Sequence, residues 1–132
     1  MEQHTTRNGI DVGQLHETVG AIKDQPGLAS FTFKARTDWQ NGTLSTVEVR
    51  DFEHNGERVE RPSGYRLTGD EPPVLLGSNE GPNAVEMLLG ALGACYSVGF
   101  AANAAARGIE LEELRYEVEG DVDVHSFLGL DE

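Results

Sequence analysis

Val12, Leu15, Val19 and Ile22 recur at spacings of three and four, which predicts an amphipathic helix. Asp11 followed by Gln14 reads as its N-terminal capping box, and Pro26-Gly27 ends it. Residues 1–9 are polar and aperiodic and predict a frayed arm. Phe31, Phe33 and Ala35 then alternate with polar residues and are answered by Val47 and Val49 across Asn41-Gly42, the pattern of a β-hairpin. A three-residue loop with Gly42 left-handed pairs Phe33 with Val49 and Ala35 with Val47. A two-residue turn would pair Phe33 with Arg50 and turn the valines to the wrong face, so the first register is preferred. His54-Asn55-Gly56-Glu57 marks a second turn, Tyr65 and Leu67 a short strand, and residues 68–83 a Pro- and Gly-rich loop.

Residues 83–107 predict a long helix. Asn83 and Glu86 form a capping box at its start, and Gly108 followed by Ile109 is a left-handed stop. Its interior is rich in Ala and Gly. Three internal glycines, Gly90, Gly93 and Gly99, each cost about 1 kcal/mol relative to Ala, which is worthwhile only where something packs tightly. The length suffices for a bilayer, but Glu86, Asn103 and the weak cationic flanks favour a core helix. Finally Leu114, Tyr116, Val118, Val122 and Val124 alternate with Arg115, Glu117, Glu119, Asp121, Asp123 and His125, predicting a strand with one apolar and one acidic face. Carboxylates on one face of a strand lie about 7 Å apart, too far to share one cation, so a solvated face is expected and no metal.

Composition narrows the function classes. The 132 residues hold 23 Asp and Glu against 10 Lys and Arg, a formal charge of −13. That field repels nucleic acid and anionic membranes, and Lys23 and Lys34 are the two lysines. The acidity is either a solubilising surface or an adaptation to concentrated salt, where self-repulsion is screened. One cysteine excludes an intrachain disulfide framework and a Cys-rich zinc site. MEQHTTRNGI has no apolar run of a secretory leader, so a cytoplasmic location is expected. Length and pattern suit one α+β domain over 1–132, with residues 1–27 as an N-terminal arm and helix and 28–132 as the core.

Cys95 is the strongest nucleophile candidate. It sits mid-helix, where the helix N-terminus lends its thiolate little support, and between Ala94 and Tyr96 a small buried hydrophobe is the plainer reading. A reactive thiol needs a cation, which Arg36, Arg107 or an arginine of another subunit would supply. His4, His16, His54 and His125 show no ligand or triad spacing, and no phosphate or dinucleotide fingerprint is present.

The run Gly81 to Cys95 (GPNAVEMLLGALGAC), with Ala104-Ala105-Ala106-Arg107-Gly108-Ile109, Asp70 to Gly77 (DEPPVLLG) and Glu119-Gly120-Asp121-Val122-Asp123, resembles the signature of the OsmC/Ohr family over roughly residues 28–130. The resemblance implies an antiparallel sheet with a long central helix in an intertwined homodimer. It also implies reduction of organic hydroperoxides by a helix cysteine, here Cys95, with an arginine polarising the thiol and a glutamate orienting the arginine. Arg36 is the best-placed strand arginine. The family's glutamate position holds Val85; Glu86, one residue on, is the weaker polar partner for the site, since it turns to the side of the helix away from Cys95. Neither the family's second cysteine nor its C-terminal helix and strands has a counterpart here, so the expectation is a truncated chain or a fold completed by another subunit. No cofactor is implied beyond an external thiol reductant. The expected function is a thiol-dependent redox protein acting on a small apolar peroxide. The alternative is a non-catalytic homodimer binding an apolar small molecule at the subunit interface. A metal-binding acidic module has little behind it.

Overall fold

The computed structural model describes residues 5–130. It is α+β, with three small antiparallel sheets and one long helix. The chain opens with a hairpin of β1 (Thr6–Arg7) and β2 (Ile10–Asp11) closed by Asn8-Gly9, both at positive φ (53° and 76°). An Asn-Gly pair takes up this left-handed turn at little cost, which replaces the frayed arm expected for 1–9; residues 1–4 of that arm lie outside the described residues. Helix α1 (Val12–Asp24) follows, with Asp11 Oδ1 accepting from Gln14 N–H at 3.0 Å.

Strands β3 (Phe31–Thr32), β6 (Phe52–His54) and β7 (Glu57–Val59) form one sheet, and β4 (Arg36–Asn41), β5 (Leu44–Val49) and β8 (Tyr65–Gly69) the other. The expected hairpin register is two residues off. Thr37, not Ala35, pairs with Val47, and Phe31 leaves the hairpin to pair with His54. The cause is a break after Thr32 that sends the Phe31 end to β6, together with an irregularity between Trp39 and Asn41 beside the turn. A slip of two preserves the faces, and Gly42 is left-handed as expected (φ 58°). Thr37, Val47 and Leu67 therefore share one face with Trp39 and Tyr65, and Arg36, Glu48 and Arg66 share the other.

The loop after β8 is organised by Asp70, which is 3% exposed. Its carboxylate accepts from Thr43 Oγ1 (2.6 Å) and from the amides of Glu71 (2.8 Å), Glu80 (3.2 Å) and Ser78 (3.3 Å). The Thr43 hydroxyl, and then the Glu71 amide, hold its carboxyl below the usual carboxylate range. A depressed folded-state value means the stabilisation is complete above the unfolded value of about 4 and is lost as pH falls through the folded value. Asp70→Asn aims an amide N–H₂ at donors; it is expected to lower the melting temperature at neutral pH by on the order of 10 °C and to flatten the acid limb of a melting-temperature-against-pH curve. A variant whose curve overlays that of the parent contradicts this role.

Helix α2 (Ala84–Ala106) has the expected ends. Asn83 Oδ1 accepts from Glu86 N–H (2.9 Å) while Glu86 Oε1 accepts from Asn83 N–H (3.1 Å). At the other end Gly108 N–H donates to Ala105 O (3.2 Å) and Ile109 N–H to Ala104 O (2.8 Å), with Gly108 at φ 77°. The N-terminal hairpin clasps this end: Arg7 Nη1 donates to Ala105 O (3.1 Å), and Asn8 Nδ2 donates to Ile109 O (2.9 Å) while its Oδ1 accepts from Leu111 N–H (2.8 Å). A cation on the last carbonyls also suits the helix dipole.

Two expectations are corrected. Residues 114–124 run without any strand ladder, because the strands described in this chain pair only with one another. The long helix is not buried either: Ala104 and Ala105 are its buried residues. The chain exposes 10488 Å², whereas a compact globule of 14.3 kDa exposes about 6,800 Å².

Candidate functional site

At about 100° per residue, α2 presents two faces. One carries Leu89, Gly93 and Ser97 and is overlaid by the extended run from Leu114. Tyr116 and Val118 stand 3.8 Å from the position a Cβ would take on Gly93, Gly120 lies beside Leu89, and the Tyr96 and Tyr116 rings stack at 5.9 Å between centroids. The other face carries Leu88, Leu92, Cys95, Val98, Gly99 and Ala102. It is open: Leu88 and Val98 are each 69% exposed, and Cys95 is an exposed free thiol. Nothing lies within 4 Å of a Cβ placed on Gly90 or Gly99, so the tight packing for which such glycines are suited is not supplied within the chain.

The three sequence-derived site residues stand apart. Glu86 is engaged in the capping box and, nine residues before Cys95, lies about 180° from it around the helix. Arg36 lies on the polar face of the β4–β5–β8 sheet. Its Nη2 donates to Glu48 Oε2 at 2.6 Å and its Nε to Asp38 Oδ2 at 3.3 Å. Among the described residues no hydrogen bond or ion pair joins Cys95 to either.

Sequence reasoning missed Glu48. The observed register places it between two arginines, Arg36 on β4 and Arg66 on β8, and Arg66 Nη2 donates to its other oxygen at 2.6 Å. The Arg66 hydrogen bond, and then the Arg36 charge, hold the Glu48 carboxyl below its ordinary value. Only the correct register shows this triad, since the three residues are spread over 31 positions. Asp51 is bound by Arg58 in a similar way (Nη2 to Oδ2, 2.6 Å). The opposite, apolar face of this sheet is as open as that of α2, with Trp39 72% and Tyr65 61% exposed.

Two hollows flank the overlaid face of α2. A groove of about 750 Å³ runs between Gly93 and Tyr116, with Glu86 and Glu119 on its walls. A more apolar one of about 570 Å³, lined by Leu75, Val85, Leu89, Val122, Val124 and Phe127, lies at the helix N-terminus. Neither is lined by Cys95. No group of three or more His, Cys, Asp or Glu among the described residues is arranged to hold a metal ion. By length and composition alone, α2 is long and apolar enough to cross a membrane.

Comparison with known proteins bears on the same segment. Residues 77–131 match the family model of OsmC-like proteins. An uncharacterized protein of Bacillus subtilis (strain 168), YmaD, is 45% identical over 53 residues, which make up 40% of this chain and 35% of that protein. The matched stretch thus spans about a third of that relative's length. The family match takes in the loop from Gly77, all of α2 with Cys95, and the extended run after it.

Proposed function

We propose that this chain, whose residues 77–131 match the family model of OsmC-like proteins, is a member of that family and works as a homodimeric, thiol-dependent reductase of organic hydroperoxides with Cys95 as nucleophile. The observation that carries the reading is the open face of α2: an exposed cysteine in an apolar, small-residue surface inside the family-matched segment. In this reading the Cys95 thiolate attacks the terminal oxygen of ROOH. The S–O bond forms as the O–O bond breaks, the departing alkoxide takes a proton to become ROH, and the sulfur is oxidised to sulfenic acid. An external thiol then attacks that sulfur and releases water, and a second thiol displaces the mixed disulfide to return Cys95 as a thiol.

A second copy would serve this reading in two ways. The excess surface of about 3,700 Å² per chain is more than one side of an obligate interface needs, since such interfaces bury about 2,000–5,000 Å² counted over both partners. Covering Leu88, Leu92 and Val98 stabilises the assembly by about 1.5–3 kcal/mol for each side chain fully buried. It also dries the surroundings of Cys95 and gives an alkyl hydroperoxide an apolar seat. Arg36, held by Glu48, is the cation this reading assigns to the thiolate, supplied by the second copy because no contact joins it to Cys95 within one chain; Glu86 holds the helix start. This assembly also accounts for the apolar length of α2 without a membrane, in keeping with a cytoplasmic protein.

A second reading is favoured by the apolar hollow beside Phe127: a dimer that binds a small apolar molecule without chemistry. Cumene hydroperoxide consumption with a dithiol reductant separates the two. The parent protein is expected to turn over and Cys95→Ser to lose at least about a thousandfold, the scale for removal of a nucleophile. Equal rates for the two proteins leave the binding role.

A further inference from the structure

Charge is spread unevenly along this chain. Residues 34–66 balance six acids with six bases, whereas residues 67–132 carry thirteen acids and two bases, a net −11 of the total −13. The second segment holds α2 and Cys95. Between Ala84 and Ala106 the helix has no Lys or Arg, and its one charged side chain is Glu86. Arg107 caps the far end, about 18 Å along the axis from Cys95.

The acids come close to the turn of α2 that carries Cys95. A hollow of about 540 Å³ lies beside Ser97 and Val98, with Glu112 and Glu113 on its wall. The groove of about 750 Å³ reaches Ala94 and Ser97, with Glu86 and Glu119 on its walls. Among the described residues Arg115 is the one cation lining either hollow, and its Nη2 already donates to Glu113. The Arg36 of a second copy adds a single positive charge, itself bound to Glu48 and Asp38. A molecule that approaches the thiol therefore crosses a negative field.

We infer that Cys95 is recycled by uncharged or cationic thiols and is shielded from anionic ones; this rests on the redox reading above and adds the class of its reductant. In that cycle one thiolate attacks the sulfenic sulfur of Cys95 and displaces hydroxide, which leaves as water. A second attacks the mixed disulfide, so two thiols supply the two electrons and depart as a disulfide. Deprotonation adds the same negative charge to every attacking thiol, so the ranking follows the rest of the molecule. Spread over a globule about 18 Å in radius, a charge of −13 changes the local concentration of a singly charged species about sixfold at 0.1 M salt and about twofold at 1 M. The selection is strong in dilute salt and fades as salt is added.

The test uses probes that share one reactive group and differ in charge. Methanethiosulfonates bearing a trimethylammonium, a hydroxyl or a sulfonate compete in equal excess for Cys95, the single thiol of the full chain, and mass spectrometry counts the adducts. The same competition on 2-mercaptoethanol supplies the intrinsic reactivities. At about 0.1 M KCl the corrected ratio of cationic to anionic adducts is expected to be at least about twentyfold, with the neutral reagent between, and to fall at least about threefold at 1 M. Glu112→Gln with Glu113→Gln is expected to lower the ratio about twofold at the lower salt. Peroxide turnover plays no part in this readout, so its failure is distinct from a failure of the redox reading. In turnover of cumene hydroperoxide at equal thiolate concentration, cysteamine is expected to serve faster than 2-mercaptoethanol and the anionic glutathione slowest. Equal adducts, a preference for the sulfonate, no adduct from any reagent, or a cationic preference that salt leaves unchanged overturns the inference, as does glutathione matching cysteamine.

Discussion

Gly77→Ala is expected to lower the melting temperature by about 10–20 °C, the consequence of roughly 3–5 kcal/mol lost. A Cβ on Gly77 would lie 1.8 Å from the Glu71 carbonyl oxygen, 2.3 Å from its carbon and 2.7 Å from Glu71 Cα. All three are backbone atoms, so no side chain can swing aside. The loop must open instead, and opening it pulls the Ser78 and Glu80 amides off Asp70 and parts Gly77 N–H from Pro72 O. Because Asp70 N–H also donates to Pro82 O, the damage reaches the residue before the Asn83 cap and loosens the start of α2. Gly90→Ala is the control: it has open space and a helical backbone, and is expected to stabilise the chain by about 1 kcal/mol unless a partner packs there. Thermal unfolding followed by far-ultraviolet circular dichroism checks both. A Gly77→Ala melt within about 2 °C of the parent contradicts the loop geometry.

Gly99→Leu is expected to dissociate the proposed dimer while leaving the helix intact. Within one chain the substitution meets nothing inside 4 Å of its Cβ, and Leu is a better helix former than Gly by about 0.8 kcal/mol. A monomeric protein would therefore accept it or gain stability. Gly99 lies about 40° around the helix from Cys95, on the face assigned to the second copy. There a Leu holds two closely packed surfaces apart by the width of an isobutyl group. Overpacking at a tight contact costs about 1–3 kcal/mol in each of two symmetry-related places, enough to weaken association by on the order of a hundredfold. Sedimentation velocity is expected to show a dimeric parent and a monomeric or polydisperse variant with the same helix content. A parent that sediments as a monomer, or a variant that remains dimeric, contradicts the assembly.

The features legible in the sequence are those whose causes are local. Both ends of α2 follow from residues within a few positions of each other, Asn83 with Glu86 and Gly108 with Ile109, and the helix begins and ends there. The turn at Asn55-Gly56 is equally local, with φ of 53° and 79°. The β4–β5 register was half legible. Alternation told the faces apart, but the departure of Phe31 to β6 depends on a strand more than twenty residues away. The organising role of Asp70 is not legible, because its partners run from Thr43 to Glu80, with no short motif to connect them. The alternation at 114–124 is real, with Tyr116 and Val118 against α2, yet ladder partners are a property of the tertiary fold that alternation cannot supply. Of the candidate site, the position of Cys95 on α2 was legible; which face of α2 is covered was not, since an Ala/Gly-rich helix has little amphipathic contrast. The Arg36–Glu48–Arg66 triad emerges only from the strand register.

The central claim is that Cys95 is a peroxide-reactive thiol in the assembled protein. Mass spectrometry after one equivalent of cumene hydroperoxide in the presence of dimedone measures it directly. The account predicts a dimedone adduct on Cys95, absent from protein not exposed to the peroxide and suppressed when a dithiol is present. An unmodified Cys95, with the hydroperoxide left unreduced, would contradict it.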